Sequence, residues 1–183
     1  MLNKKHTILT FLLGGLLLFL LILPALSKDI KTIEGTVIKV KDGDTVVIAP
    51  LEGGQFFTCR LYGIDAPETE KPGKPGQPYG EEAMKYLKKL VLGQTVRVTT
   101  TGDKTYNREV CIIYRDSMNV NLEMVKAGYA WAYRQYLKRP YASEYIDAET
   151  EARQARRGLW QEINPTPPWE WRKTTKKNNF HLW

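Results

Sequence analysis

Histidine is almost absent from this 183-residue chain, with one copy in each terminal extension, His6 and His181. Cysteine is as scarce: Cys59 and Cys111 lie far apart. Structural zinc needs clustered thiolates or imidazoles, so no zinc pattern can be built. Catalysis by histidine is excluded with it, which leaves carboxylates, arginines and tyrosines to carry any chemistry. The chain shows no internal repeat and no long low-complexity tract. It is 43% hydrophobic and 26% charged, a globular composition with enough length for one core. Acid is missing from the first 27 residues, whose charge comes from Lys4 and Lys5. The formal net charge is +7 and the pI near 9.3. That balance suits an anionic partner, nucleic acid or a phospholipid surface, although a merely soluble basic protein has the same charge.

What is abundant comes first at the N-terminus. Thr7 to Ser27 is uncharged and largely aliphatic, and it ends in Ala25 and Ser27 at small-residue positions suited to signal peptidase. Its length lies between the 7–15 residues or so of an export signal and the roughly 20 of a spanning helix. Residues 1–27 therefore read as a signal peptide or a single transmembrane anchor. Either leaves the following domain outside the cytoplasm, secreted or membrane-anchored, because Lys4 and Lys5 hold the N-terminus inside. Export leaves a Cys59–Cys111 bridge open; without it, strand cysteines are commonly buried and inert.

The rest divides into a domain at 28–161 and a proline-, tryptophan- and lysine-rich tail at 162–183. Lys31 to Lys41 reads as a strand whose alternation slips after Val37, as a bulge requires. "KDGD" forms a tight turn into Thr45–Ala49, and a third strand covers Phe56–Tyr62. Residues 71–80, "KPGKPGQPYG", read as a mobile loop. Glu81–Leu92 is amphipathic and closed by Gly93. Thr95–Thr101 and Val110–Tyr114 are strands. Asn121 is expected to cap a short helix ending at Gly128. Tyr141–Arg157 forms the last helix, with Tyr145, Ala148, Ala152 and Ala155 inward and Gly158 closing it. Five strands and three helices predict an α+β protein: a five-stranded closed barrel with helices packed on it.

The charged residues gather at strand ends. In "RLYGIDAPE", Cys59 and Leu61 face one way while Arg60 faces the other. Asp65 and Glu68 follow on the turn set by Pro67. Each acid alone is ordinary turn chemistry. Together, Asp44 and Asp65 bring carboxylates close, which repulsion disfavours unless a cation lies between them. All-oxygen donors favour a hard ion, calcium first and magnesium second. Arg60 and Arg108 add guanidinium forks that match phosphate oxygens. One metal, two arginines and a spare carboxylate satisfy what phosphodiester hydrolysis needs.

The segments "VKDGDTVVI", "CRLYGIDAPET", "YGEEA", "DKTYNREVCIIY" and "VNLEMVKAGYAWAY" resemble, in order and spacing, the thermonuclease (staphylococcal nuclease-like) family over roughly residues 31–161. The resemblance implies an OB-fold barrel with three helices and a calcium-dependent phosphodiesterase. Its substrates would be DNA and RNA, cut at the 5′-oxygen to leave 3′-phosphate ends with little sequence preference. By motif, Asp44, Asp65 and the main-chain carbonyl of Ala66 match the calcium ligands. Glu68 resembles the water-activating or water-positioning carboxylate, and Arg60 and Arg108 the phosphate-binding pair. Asp42 matches a nearby acid that is not a ligand. Tyr106 and Tyr133 resemble the aromatics of the nucleotide pocket, with Tyr136 a candidate for a second tyrosine. Asn107 stands where a glycine is usual, and asparagine tolerates the positive φ of such a turn. Lys71, Lys74 and Lys104 are candidate phosphate-backbone contacts. The expected state is a monomer, with a membrane contact only through an uncleaved leader. The tail's tryptophans are read as packing on the domain. The competing readings are a non-catalytic nucleic-acid-binding OB module and an envelope-adhesion domain; the latter leaves the charged constellation without a purpose.

Overall fold

The computed structural model describes residues 30–180. The expected signal or anchor at 1–27 lies outside them, and with it the reading of export. No helix among the described residues is long and apolar enough to cross a membrane.

Three strands form the first meander: β1 (Thr32–Asp42), β2 (Thr45–Pro50) and β3 (Phe57–Leu61). The slip read in the sequence is a bulge in β1, between Val37, opposite Ile48, and Lys39, opposite Val47. The extra residue turns Ile38 outward and returns Val40 to the core. A short strand, β4 (Ile64–Asp65), follows, then helix α1 (Gly80–Val91). Strands β5 (Thr95–Thr105) and β6 (Arg108–Arg115) are longer than the sequence suggested, because their hairpin continues past an irregularity after Thr100. After β7 (Met118–Asn119) come α2 (Val120–Lys126), β8 (Trp131–Ala132) and α3 (Tyr141–Gln154). A 3-10 turn, Gly158–Gln161, and a further helix, α4 (Pro168–Phe180), complete the described chain.

The main sheet runs β3-β2-β1-β5-β6-β7, and a parallel pairing of β3 with β6 closes it. The expected five-stranded barrel is therefore present. Short β7 extends it, and β4–β8 form a separate two-stranded ribbon. Inward residues alternate along each strand and fill the interior: Val46 and Ile48, Cys59 and Leu61, Val96 and Val98, Cys111 and Ile113. Both thiols are buried and unbridged. Helix α1 lays Ala83, Leu87, Leu90 and Val91 on this core, the face its periodicity predicts.

Four readings need correction. Among the described residues there are four α-helices rather than three, because the tail forms α4. Asn119, not Asn121, caps α2: its side chain accepts from Leu122 N at 3.1 Å. Asn121 is fully buried; its amide donates to the carbonyls of Tyr62 and Cys111, and its Oδ1 accepts from Ile113 N. That network needs the barrel to exist, which a cap rule cannot see. Helix α3 stops at Gln154, Ala155 is exposed, and Gly158 starts the 3-10 turn instead of closing the helix. The left-handed residue of the β5–β6 turn is Tyr106 (φ 56°), not Asn107.

Candidate active site

The charged residues meet where the barrel closes. Thr45 is opposite Asp42 on β1 and opposite Arg60 on β3, while Arg60 is also opposite Val110 on β6. Register thus brings four strands to one spot. The turn between β1 and β2 is as tight as "KDGD" suggested, and its glycine is required by space. A Cβ on Gly43 would fall 2.7 Å from the Cβ of Ala66 and 2.8 Å from that of Ala83. This close approach holds Asp42 and Asp44 against the β4 segment and α1. Asp65 is fixed by backbone pairing with Trp131 on β8. The Glu68 segment is pressed against the start of α1, where a Cβ on Gly80 would meet the Glu68 carbonyl at 2.2 Å.

Arg60 is the centre of the cluster. Its Nη1 pairs with Asp44 Oδ2, and its Nη2 donates to Asp65 Oδ1 at 2.7 Å. One planar cation therefore spans both carboxylates. Asp44 also accepts from Ala66 N at 2.9 Å and from Thr45 Oγ1 at 2.9 Å. Burial pushes the Asp44 carboxyl up to about 7; Arg60 pulls the other way, and Asp42 and Asp65 add repulsion. Burial likewise opposes charge on Arg60, but Asp44, Asp65 and Asp42 outweigh it and hold its pKa above the usual guanidinium value. Asp42 is held below its ordinary value despite burial, by Lys71 and by hydrogen bonds from Asp44 and Thr45. Lys71 Nζ donates to Asp42 Oδ2 at 3.3 Å.

Arg108 reaches the cluster from the β5–β6 turn. Its Nη1 donates to Thr45 Oγ1 at 3.4 Å and its Nε to the Thr105 carbonyl at 3.4 Å. These long contacts leave the fork available to a ligand. Arg60, Glu68, Arg108, Tyr106 and Tyr133 all line one cleft of about 720 Å³, with Asp42, Asp44, Ala66, Tyr136, Lys71 and Lys104. Tyr106 is almost fully exposed, and Tyr133 and Tyr136 meet edge to face at 4.8 Å. Lys104 is paired with Glu109 at 2.8 Å, and Lys74 hydrogen-bonds backbone to backbone with Lys71.

The donors fit a hard cation. Asp44 and Asp65 are both buried, converge on one positive group, and offer only oxygen. Among the described residues no three Asp, Glu, His or Cys side chains form a cation cage. The carboxylates that could meet such an ion here are Asp44 and Asp65, next to the Ala66 peptide, whose N–H donates to Asp44.

One participant is missing from the sequence reading. Arg172, on α4, enters the cluster and grips Asp65 with both ends of its fork, Nη1 to Oδ1 at 3.1 Å and Nη2 to Oδ2 at 2.8 Å. The same Nη1 donates to Glu68 Oε1 at 2.8 Å. Three residues earlier, Trp169 stacks on Tyr133 with ring centres 5.3 Å apart and planes 5° apart. Trp169 also meets the edge of Trp131. The tail's tryptophan packing is thus as expected for Trp169. The signal for the rest was present: Pro168 suits the first position of a helix, and residues 169 and 172 share a face at i, i+3.

The segment from residue 58 to 162 matches the family model of the staphylococcal nuclease homologue. Relatives include a protein of Haemophilus influenzae named an uncharacterised endonuclease, 37% identical over 97% of this chain and 90% of its own. Another of that name, from Escherichia coli, is 40% identical over 86% of this chain and 94% of its own. A micrococcal nuclease of Shigella flexneri is 36% identical over 78% and 82%. With the barrel closed by β3 and β6, the acid–arginine cluster at that closure and these matches, the chain belongs to the staphylococcal nuclease homologue family.

Proposed function

We propose that the protein is an exported, calcium-dependent nuclease that hydrolyses phosphodiester bonds of DNA and RNA, with little sequence preference, and leaves 3′-phosphate ends. The observation that carries the reading is the single guanidinium of Arg60 spanning Asp44 and buried Asp65, at a cleft that Asp44, Arg60, Arg108 and Glu68 line. Asp44, Asp65 and the Ala66 carbonyl would hold the calcium ion. When bound there, the ion supplies positive charge next to the phosphate oxygens.

The chain's own residues do the remaining work. Arg60 and Arg108 take two phosphate oxygens and stabilise the charge that builds on them as water adds to phosphorus. Glu68 orients that water and accepts its proton. The bond to the 5′-oxygen breaks, and the phosphate stays on the 3′ side. Tyr106, Tyr133 and Tyr136 offer ring faces for a base, a contact that tolerates any sequence. Lys71 and Lys104 lie where the backbone of a polyanion would pass, which adds salt-sensitive affinity without base readout.

The test is incubation of the purified protein with DNA in calcium and then in chelator. Cleavage is expected only with calcium. Undegraded DNA in both conditions, with binding retained, would replace this reading with a non-catalytic OB module.

A further inference from the structure

We propose that the segment 166–172 is a built-in competitor for the active site, with Arg172 on the carboxylates a divalent cation needs and Trp169 on the ring a base needs. This inference rests on the nuclease reading above and concerns residues beyond the family-matched segment, which ends at residue 162.

Both carboxylate oxygens of Asp65 are occupied. Its carboxylate is wholly buried; one oxygen accepts from Arg60 and Arg172, and the other from Arg172. Arg60 alone leaves Asp65 Oδ2 open, whereas Arg172 closes it, so an ion on Asp65 would have to share both oxygens with a second cation and lie against its charge, which repulsion at such distances disfavours. Metal and fork are therefore alternatives. Glu68 is held by the same guanidinium: its Oε1 accepts from Arg172 Nη1. The one side chain silences both a metal ligand and the residue that positions the nucleophile.

Trp169 acts in parallel. Its ring lies flat on Tyr133 and takes the face on which a base would stack. Because residues 169 and 172 share one helix face, α4 cannot release one without loosening the other. The anchor upstream is the Gln77 side chain, which donates to the Thr166 carbonyl while its Oε1 accepts from Glu68 N. This arrangement is reversible by construction. Arg172 is partly exposed (41%), and among the described residues no strand pairing holds α4. Two ligands that each favour the open form would bind cooperatively: calcium lifts Arg172, and nucleic acid lifts Trp169.

Calcium affinity by calorimetry, on the full chain without substrate, tests the competition. Arg172→Ala is expected to tighten calcium binding at least about five-fold, the lower end of typical coupling between competing states. Trp169→Ala should tighten it by a smaller factor. Arg172→Lys keeps the charge and loses the fork, so it should fall between Arg172→Ala and the parent protein. If Arg172→Lys binds calcium like the parent while Arg172→Ala binds more tightly, charge alone is responsible and the fork is refuted. Equal or weaker binding by Arg172→Ala overturns the competition and leaves the nuclease reading intact. Calcium that binds neither protein overturns both. A second measurement is tryptic cleavage after Arg172 and Lys173 in the parent protein, which calcium should accelerate. Cleavage at an unchanged rate with saturating calcium contradicts the release of α4.

Discussion

The barrel end and the C-terminal helix both present arginines to the same carboxylates, yet they hold them by different means. Arg60 projects from a strand paired on both sides, so its position follows from the register of β2, β3 and β6. Arg172 projects from α4, which reaches the site through Trp169, Arg172 and the Gln77–Thr166 contact. Backbone ladders fix a side chain cooperatively with the whole domain; side-chain docking fixes it only while the docked state is favoured. One arginine belongs to the fold, and the other to a segment that can leave it.

The largest way to sharpen that contrast is on the chemistry. Arg108→Ala should lower turnover on DNA about 10²–10³-fold, the usual effect of losing one donor to developing charge. The urea midpoint should hardly move, because both hydrogen bonds of Arg108 are long at 3.4 Å. A normal rate would remove Arg108 from the mechanism.

On the barrel side, Asn121→Ala should cost on the order of 2–4 kcal/mol in urea unfolding, since it strands several buried backbone groups at once. A loss below about 1 kcal/mol would show that water replaces the amide. The cysteines offer no comparable handle, being buried and unbridged.

The next effect is electrostatic. Burial of the Asp44 carboxyl raises its pKa from 3.8 to about 7 in the fold. The folded state therefore binds this proton more tightly than the unfolded chain, and without metal, stability falls as pH rises from about 4 to about 7. Asp44→Asn removes that loss. Variant and parent should match below about pH 4, and the variant should be more stable by about 1–3 kcal/mol above pH 7. A difference that does not change with pH in chelator contradicts this assignment.

The smallest effect separates the two regions most directly. Trp169→Ala should change global stability by less than about 1 kcal/mol while hydrogen exchange in α4 speeds up. A larger global loss would make α4 part of the barrel's cooperative unit.

Much of the barrel was legible because its signals are local. The slip after Val37 marked a bulge, "KDGD" marked a two-residue turn, and the α1 stripe marked a core face. The residues of the site were legible through type and spacing, and the structure brings Asp44, Arg60, Asp65, Glu68 and Arg108 into one neighbourhood. The misreadings share a cause. Asn121 looks like a cap until strands β6 and β3 surround it, and Ala155 looks inward until α3 ends one residue earlier. The tail was harder still. Its prolines and lysines resemble a solvated end, and the folded domain supplies what Trp169 covers: Tyr133, Trp131 and the small cluster around Leu159 and Trp160.

By itself the sequence determined which carboxylates and guanidiniums stand at strand ends and turns, because strand alternation and turn residues act within a few positions. Which groups share a carboxylate was decided by the tertiary structure alone. Asp65 and Arg172 are 107 positions apart, and no local pattern couples them. Their encounter needs the closed barrel, which holds Asp65 where the C-terminal guanidinium reaches it.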